Sequence, residues 1–348
     1  TFDLVTAQDI KTAAYTAVAD VEALIQFFNN ESGGEIIATL TAGADRDDVL
    51  NDSGFVFFTG GSAGSAPVSN DWSTTLDLMK KFRINHILVA TGDPSIHAMV
   101  STHVNEMSSI LNRRYRTTSS GASDITKTVA ERISECKALN DARFEYNFTP
   151  FKRNDRVDDG AVRTFEPFYG AALLAGIKYG NDVTISATFK SLNILGVGET
   201  YDIPTQNSII MSGGSLFGDD STVIHNVTTY QGQNLILNLP SMIWTTDAIT
   251  LDSQDRITTR LKSMNKAPTD LVINEFENYL ITNVLASYRD EKGWLTNEVK
   301  NGKIVTPAYT DVEFVLAGDR FDFIFTGLVP APLHYGFIKQ KFVVPGLT

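Results

Sequence analysis

The sequence contains one cysteine, Cys136, so no disulfide can form within the chain. With one thiol and five histidines, none of them paired at the i, i+4 spacing of a helical zinc site, no zinc motif stands out, and the histidines read as surface or satisfied polar residues. Positive charge is scarce. The 29 Lys and Arg are outnumbered by 41 Asp and Glu, giving a net charge of −12. Phosphate binding needs clustered Lys and Arg, so nucleic acid is excluded as the main partner. The densest basic run, Arg113, Arg114 and Arg116 around Tyr115, reads as a solvated helix end or a protein contact. No apolar run approaches the roughly 20 residues that span a bilayer, and no secretory signal opens the sequence, so no membrane insertion is expected. A lone thiol suits a reducing compartment, and Cys136 falls on an apolar helical stripe where a buried structural role is expected. Because the sequence begins at Thr1, it reads as a piece of a longer protein.

What is present is enough for two domains and an ample core in 348 residues. The spacing of Ala14, Val18, Val21, Leu24, Ile25 and Phe28 predicts a helix over Ile10 to Phe28, broken by Asn29 to Gly34. Strands are predicted over Glu35 to Ala42, Phe55 to Phe58, Ile87 to Ala90, Phe144 to Phe148 and Val183 to Phe189. Between them lie helical patterns. One, capped by Asp71, turns Trp72, Leu76, Met79 and Phe82 inward. A second starts at Asp93-Pro94 and repeats Ile96, Val100, Val104, Met107 and Leu111. A third starts near Ser123 or Asp124 and buries Ile125, Val129, Ile133 and Cys136, and a fourth runs from Phe165 to Tyr179. This alternation predicts an α/β fold with a mostly parallel sheet covered by helices on both faces. After Pro240 the pattern changes to two long helices, Ala248 to Met264 and Leu271 to Tyr288, then to strands over Asp311 to Ala317, Arg320 to Thr326 and Gly336 to Val344. A domain boundary is therefore placed near Pro240.

Catalytic motifs are weak. Gly60-Gly61-Ser62-Ala63-Gly64 matches G-x-S-x-G after a strand, which in a hydrolase would expose Ser62 as nucleophile. Six residues, Ser65 to Asn70, separate it from the next helix, and His225 or His334 can be nominated as a partner only blindly, so a surface loop is the expectation. The same stretch lacks the GK[ST] ending of a phosphate loop, and Gly196-Val197-Gly198 lacks the third glycine of a dinucleotide turn. Asp45, Asp47 and Asp48 are interrupted by Arg46 and lack the glycine and distal Glu of a calcium loop. No catalytic residue, cofactor or metal is expected.

Several segments resemble the contractile bacteriophage tail sheath family, in the family's order. Leu40-Thr41-Ala42-Gly43-Ala44-Asp45 resembles its turn, and Met99 to Met107 sits at its helix after the second strand. Val223 to Tyr230 resembles a segment ending in Thr-Thr/Tyr. Asp252 to Leu261 and Leu271 to Leu285 resemble its paired C-terminal helices, and Val312 to Phe325 with Val329-Pro330 its closing strands. A P-G-V-Y-like opening arm is missing, which makes the chain similar to divergent sheaths of large phages such as giant Pseudomonas phages.

The resemblance implies a subtilisin-like, doubly wound α/β domain without catalytic apparatus, followed by a smaller α+β C-terminal domain. The implied division is a helical segment at 1–34, the sheath α/β domain at 35–240 and the C-terminal domain at 241–348. It also implies a subunit that polymerises around a tail tube and contracts to drive the tube through the host envelope. The implied partners are other copies of itself, the tail tube protein, and baseplate and tail terminator proteins, in the virion tail and, during assembly, the host cytoplasm. Two candidate contacts follow. Phe337, Ile338, Phe342, Val343 and Val344 lie in an alternating run suited to adding a strand to a neighbour's sheet. Asn274, Glu275, Glu277, Asn278 and Asn283 flank the apolar stripe of the second long helix and are candidates to face the tube. The rival readings are a non-phage contractile injection sheath and a serine hydrolase using Ser62.

Overall fold

The computed structural model describes residues 67–122, 126–155, 160–264, 270–317 and 320–331, and within the first 66 residues only 2–5, 10–13, 25, 26 and 29. Residues 1–66 form one compact unit and 67–348 another. In the first, β1 (Phe2–Val5) pairs antiparallel with β2 (Ile10–Ala13), from Phe2 opposite Ala13 to Val5 opposite Ile10. This corrects the helix expected to begin at Ile10. β-Branched Ile10 and Thr12 suit a strand, and a partner strand outweighs the weak pull of helix propensity. Ile25, Gln26 and Asn29 are helical. The strands expected at 35–42 and 55–58, the acidic cluster at 45–48 and the Ser62 loop lie outside the described residues.

The second unit opens with α1 (Ser69–Met79), β3 (His86–Leu88), α2 (Pro94–Met107), β4 (Thr117–Gly121), α3 (Val129–Leu139) and β5 (Phe144–Asn147). Two expected starts shift: α1 begins at Ser69, so Asp71 is its third residue rather than its cap, and the cap of α3 is Thr128 rather than Ser123 or Asp124. Asp93 accepts from the Ser95 N–H ahead of Pro94, and Thr128 and Glu131 form a reciprocal capping box. After β5 come β6 (Phe151–Asn154), β7 (Val162–Phe165), α4 (Pro167–Tyr179), β8 (Gly196–Val197), α5 (Ile203–Met211), β9 (Gly214–Phe217) and β10 (Val223–His225). Strands β3, β4, β5 and β9 are parallel neighbours in that order, and β10 closes the sheet antiparallel to β9. The described strands cross the sheet in one direction, without the reversal that defines a doubly wound sheet.

The period of two along β5 assigns the layers. Phe144 and Tyr146 pack with Cys136 of α3, Ile209 of α5 and Leu216 of β9, and the His97 ring of α2 lies 5.4 Å from Phe144. Glu145 and Asn147 turn to the opposite face, which α4 covers. Its Gly170 passes so close that a Cβ there would lie 2.1 Å from the Asn147 amide. The result is a three-layer α/β body. Residues 151–154, 162–165 and 196–197 add a small antiparallel sheet that the sequence pattern did not predict.

Three further expectations change. No strand forms over Val183 to Phe189. Asp182 instead closes a turn onto Thr184, and Phe189 is left-handed at φ 65°. Phe82 lies past the end of α1 and is 61% exposed. Leu111 lies past the end of α2 and is 92% exposed. The helical pattern stops at Met107 because Ser108, Ser109 and Asn112 bond to nearby backbone and compete with the helix.

Pro240, where the sequence pattern changes, is the first residue of α7 (Pro240–Met264), preceded by the single turn α6 (Leu235–Asn238). The first turns of α7 bury Met242, Ile243 and Trp244, while Ile249 belongs to a separate core with Phe276, Leu280, Val284, Leu285, Tyr288 and Leu295. That second core is built on one continuous helical stretch, α8 (Asp270–Tyr279), a π turn (Leu280–Leu285) and α9 (Ala286–Asp290). Two hairpins complete the described residues, β11 (Glu298–Lys300) with β12 (Lys303–Thr306) and β13 (Tyr309–Ala317) with β14 (Arg320–Gly327).

Candidate functional site

The most chemically suggestive place is the polar interior beneath α4. Lys178 Nζ lies 2.6 Å from Thr117 Oγ1, 3.3 Å from Glu145 Oε1 and 3.4 Å from the centre of the Trp244 ring. Both side chains of the Lys178–Glu145 pair are at most 5% exposed. Burial lowers Lys178 to about 7, with Glu145 pulling the other way. Asn226 Nδ2 donates to the second Glu145 oxygen at 3.3 Å and to Ser215 Oγ at 3.2 Å. Arg143 grips Asp247 with two bonds of 2.6 and 2.8 Å. A pocket of about 170 Å³ lined by Tyr115, Thr117, Lys178, Tyr179, Trp244 and Asp247 opens onto this network.

One pair there has the outline of a base and a nucleophile. His86 Nε2 lies 2.9 Å from Ser119 Oγ, and its Nδ1 lies 3.0 Å from Thr117 Oγ1. The outline fails chemically. Ser119 is 1% exposed within a parallel strand, so no substrate carbonyl reaches it. A hydroxyl, not a carboxylate, stands behind the imidazole, and burial with nearby Lys178 holds His86 well below its usual range. The network is a buried polar layer that fixes α4 and α7 to the sheet, with the Trp244 indole N–H left without a hydrogen-bond partner. Sequence reasoning missed it because its members are far apart in the chain and none stands in a motif.

The remaining sequence candidates divide. His97 and His103 are buried and hydrogen-bonded, to the Thr91 carbonyl at 2.7 Å and to Arg116 at 2.9 Å. The basic run is not one patch. Arg116 is fully buried, binding the Phe82 carbonyl at 3.2 Å, whereas Arg113 is exposed. Cys136 is buried as expected, and burial pushes its thiol well up. Thr229, in the segment that resembles the family's Thr-Thr signature, exchanges two 3.0 Å bonds with the backbone of Asp141 and staples that segment to the turn before β5. His225 is buried in β10. Ser62, His334 and the strand candidates Phe337, Ile338, Phe342, Val343 and Val344 lie outside the described residues.

Of the helix candidates, Asn274, Glu275 and Asn278 are exposed on α8, Glu277 is half-buried, and Asn283 is exposed on the π turn. Asn274 and Asn278 stand one turn apart on one face. Glu275 Oε1 accepts from Arg260 Nη2 at 2.8 Å, and the Asn283 carbonyl accepts from Arg256 Nη1 at 2.9 Å, so α7 braces this surface. The π turn inserts Leu285 into the core beside Val284, a shift the helical spacing does not announce. Among the described residues, β13 and β14 are joined by no third strand.

The fold is similar to that of solved sheath proteins. The sheath tail protein of Desulfitobacterium hafniense superposes with a TM-score of 0.54 at 14% identity, covering 76% of this chain and 61% of that one. The contracted helical sheath of the anti-feeding prophage does so at 0.54 and 10% identity, covering 80% and 75%. In sequence the chain is similar to the tail sheath protein of Bacillus phage SP01, 27% identical over 244 residues. A relative from Enterococcus phage phiEF24C is 24% identical over 242 residues. These alignments take in 67% and 65% of this chain but only 39% and 41% of the relatives' lengths. No family model matches the sequence.

Proposed function

We propose that this chain is part of the structural subunit of a contractile tail sheath, which polymerises around a tail tube and contracts to drive it through the host envelope. The observation that carries the reading is the agreement of sequence with fold. Relatives found by sequence and neighbours found by shape are sheath proteins, and Ser119, the hydroxyl of the most reactive-looking pair, is 1% exposed. The role is structural, not enzymatic. Copies of the same chain, the tail tube protein, baseplate proteins and a tail terminator are its partners, in the virion tail and in the host cytoplasm during assembly.

The reading keeps the division into a helical segment at 1–34, a subtilisin-like α/β domain at 35–240 and an α+β domain at 241–348. In it, residues 337–344 add a strand to a neighbour's sheet. The surface of Asn274, Glu275, Glu277, Asn278 and Asn283 faces the tube through a polar, weak contact, because the tube must slide free. An ordinary coupling energy, on the order of 1–3 kcal/mol per subunit, suffices when many copies switch together. Negative-stain microscopy of the full-length protein tests the reading. Hollow striated cylinders are expected, and a uniformly monomeric protein overturns it. A density map with residues 55–111 lining the lumen would refute the orientation.

The anti-feeding prophage sheath shares the fold, which favours a second reading as the sheath of a non-phage injection system. Neighbouring genes separate the two: a terminase beside a tail tube gene means a phage.

A further inference from the structure

The turn after α2 projects Ile110 and Leu111 into solvent at 80 and 92% exposure. The turn is tightly built. Asn112 Nδ2 donates to the Glu106 carbonyl at 2.7 Å, Arg113 N to the Ser109 carbonyl at 2.9 Å and Arg114 N to the Met107 carbonyl at 2.9 Å. Ser108 Oγ bridges the turn to Arg116, accepting from its N–H at 3.0 Å and donating to its carbonyl at 3.1 Å. Arg113 takes a left-handed φ of 53° and stands exposed beside the two apolar side chains. A pre-ordered turn that displays two large apolar residues and a cation loses little entropy on docking.

A groove of about 340 Å³ lies on the same layer, between α2 and α3. Pro94 and Ala98 form one wall, and Ala138 and Leu139 the other. Glu131 and Glu135 supply acidic groups to it. Glu131 is exposed and its Oε2 accepts from the Thr128 N–H and hydroxyl at 2.7 and 2.8 Å, while Glu135 accepts from Lys127 and from the Tyr146 hydroxyl. The groove flanks the N-terminal half of α2, and the knob follows its C-terminal end. At 1.5 Å per residue, the 14 residues of α2 span roughly 20 Å. The rigid knob therefore cannot fill its own groove, but it can fill that of another copy.

We propose that the Ile110–Leu111 knob of one subunit inserts into the α2–α3 groove of a second copy of this chain, with Arg113 against Glu131. In a protein of net charge −12, this local match of cation and carboxylate selects one docking pose among like-charged surfaces. The two surfaces differ, so the contact is head-to-tail and leaves a free knob at one end and a free groove at the other, the requirement for an open polymer. The contact rests on the sheath reading and adds to the strand exchange proposed above.

The test is a complementation experiment on the 348-residue chain, followed by sedimentation equilibrium up to concentrations on the order of 1 mM. Leu111→Asp disables the knob, and Ala138→Arg blocks the groove. Both positions are exposed, so both variants should fold, as checked by circular dichroism. Each alone is expected to self-associate at least about tenfold more weakly than the parent. Their equimolar mixture is expected to stop at heterodimers, because one intact knob and one intact groove remain. Parent-like association of either variant, a mixture that stays monomeric, or a parent chain monomeric throughout overturns the contact. Cylinders formed by full-length protein carrying Leu111→Asp would overturn the contact while leaving the sheath reading intact.

Discussion

Replacing Lys178 by Met tests whether the buried network under α4 holds the fold together. The substitution keeps much of the side-chain volume and, below about pH 7 where Lys178 holds its proton, removes one charge from a pair whose members are 5 and 4% exposed. Glu145 would then keep only the Asn226 amide, at 3.3 Å, for a carboxylate sealed from water. Breaking a buried pair on one side costs about 3–5 kcal/mol, because the orphaned charge stays desolvated. Loss of the 3.4 Å cation–π contact with Trp244 adds to this, by about 1 kcal/mol. At about 2–4 °C per kcal/mol for a unit of this size, the melting temperature should fall by about 10 °C or more. Lys178→Met with Glu145→Leu removes both charges, while Asn226 retains Ser215 Oγ at 3.2 Å. That double variant should recover most of the loss, since apolar replacements of buried pairs are often neutral or better. Calorimetry on parent, single and double variants decides it. A single variant within about 1 kcal/mol of the parent, or a double variant no better than the single, would refute the reasoning.

The same network gives a pH prediction with a definite sign. The unfolded chain holds the Lys178 proton to about 10.5, whereas the folded chain releases it near 7. Between these values the unfolded state binds more protons, so this group makes stability rise with pH across that window and contributes no slope outside it. The slope should vanish in the double variant when denaturation midpoints are compared from pH 7 to 9.5, and a falling contribution would contradict the assignment. Gly121→Ala places a Cβ 2.5 Å from the Asn147 carbonyl and 2.8 Å from the Pro167 backbone, so it should destabilise by about 3 kcal/mol in urea titrations. Glu199→Ala removes the carboxylate 2.5 Å from the buried Arg132 guanidinium and should cost about 2–3 kcal/mol, while the exposed Leu111→Asp should stay within about 0.5 kcal/mol. Cys136 should resist aromatic disulfide reagents until the chain unfolds, and prompt labelling of native protein would show that the thiol is not buried.

The local physics of the chain settled much of the architecture before any tertiary contact was known. Asp93-Pro94 starts a helix wherever it stands, and the stripe of Phe276, Leu280, Val284 and Tyr288 does become one wall of a core. Short apolar runs at Ile87 and Phe144 become neighbours of a common strand in a parallel sheet, and the single cysteine rules out a disulfide within these 348 residues from composition alone. Tertiary structure decided what depends on partners distant in sequence. Ile10 to Ala13 became a strand because Phe2 to Val5 was there to pair with it, and Val183 to Phe189 did not because the Asp182 turn and the left-handed Phe189 break the extended run, although the Phe189 N–H still reaches the Val223 carbonyl of β10. Leu111 continues an apolar stripe in the sequence, yet it faces water because the Ser108–Arg116 turn ends the helix one turn earlier. The Lys178–Glu145–Asn226 network and the groove between α2 and α3 have no local signature at all. Their residues lie 33 and 81 positions apart in the first case and on two separate helices in the second, and only the folding of the sheet and the packing of its helices bring them together.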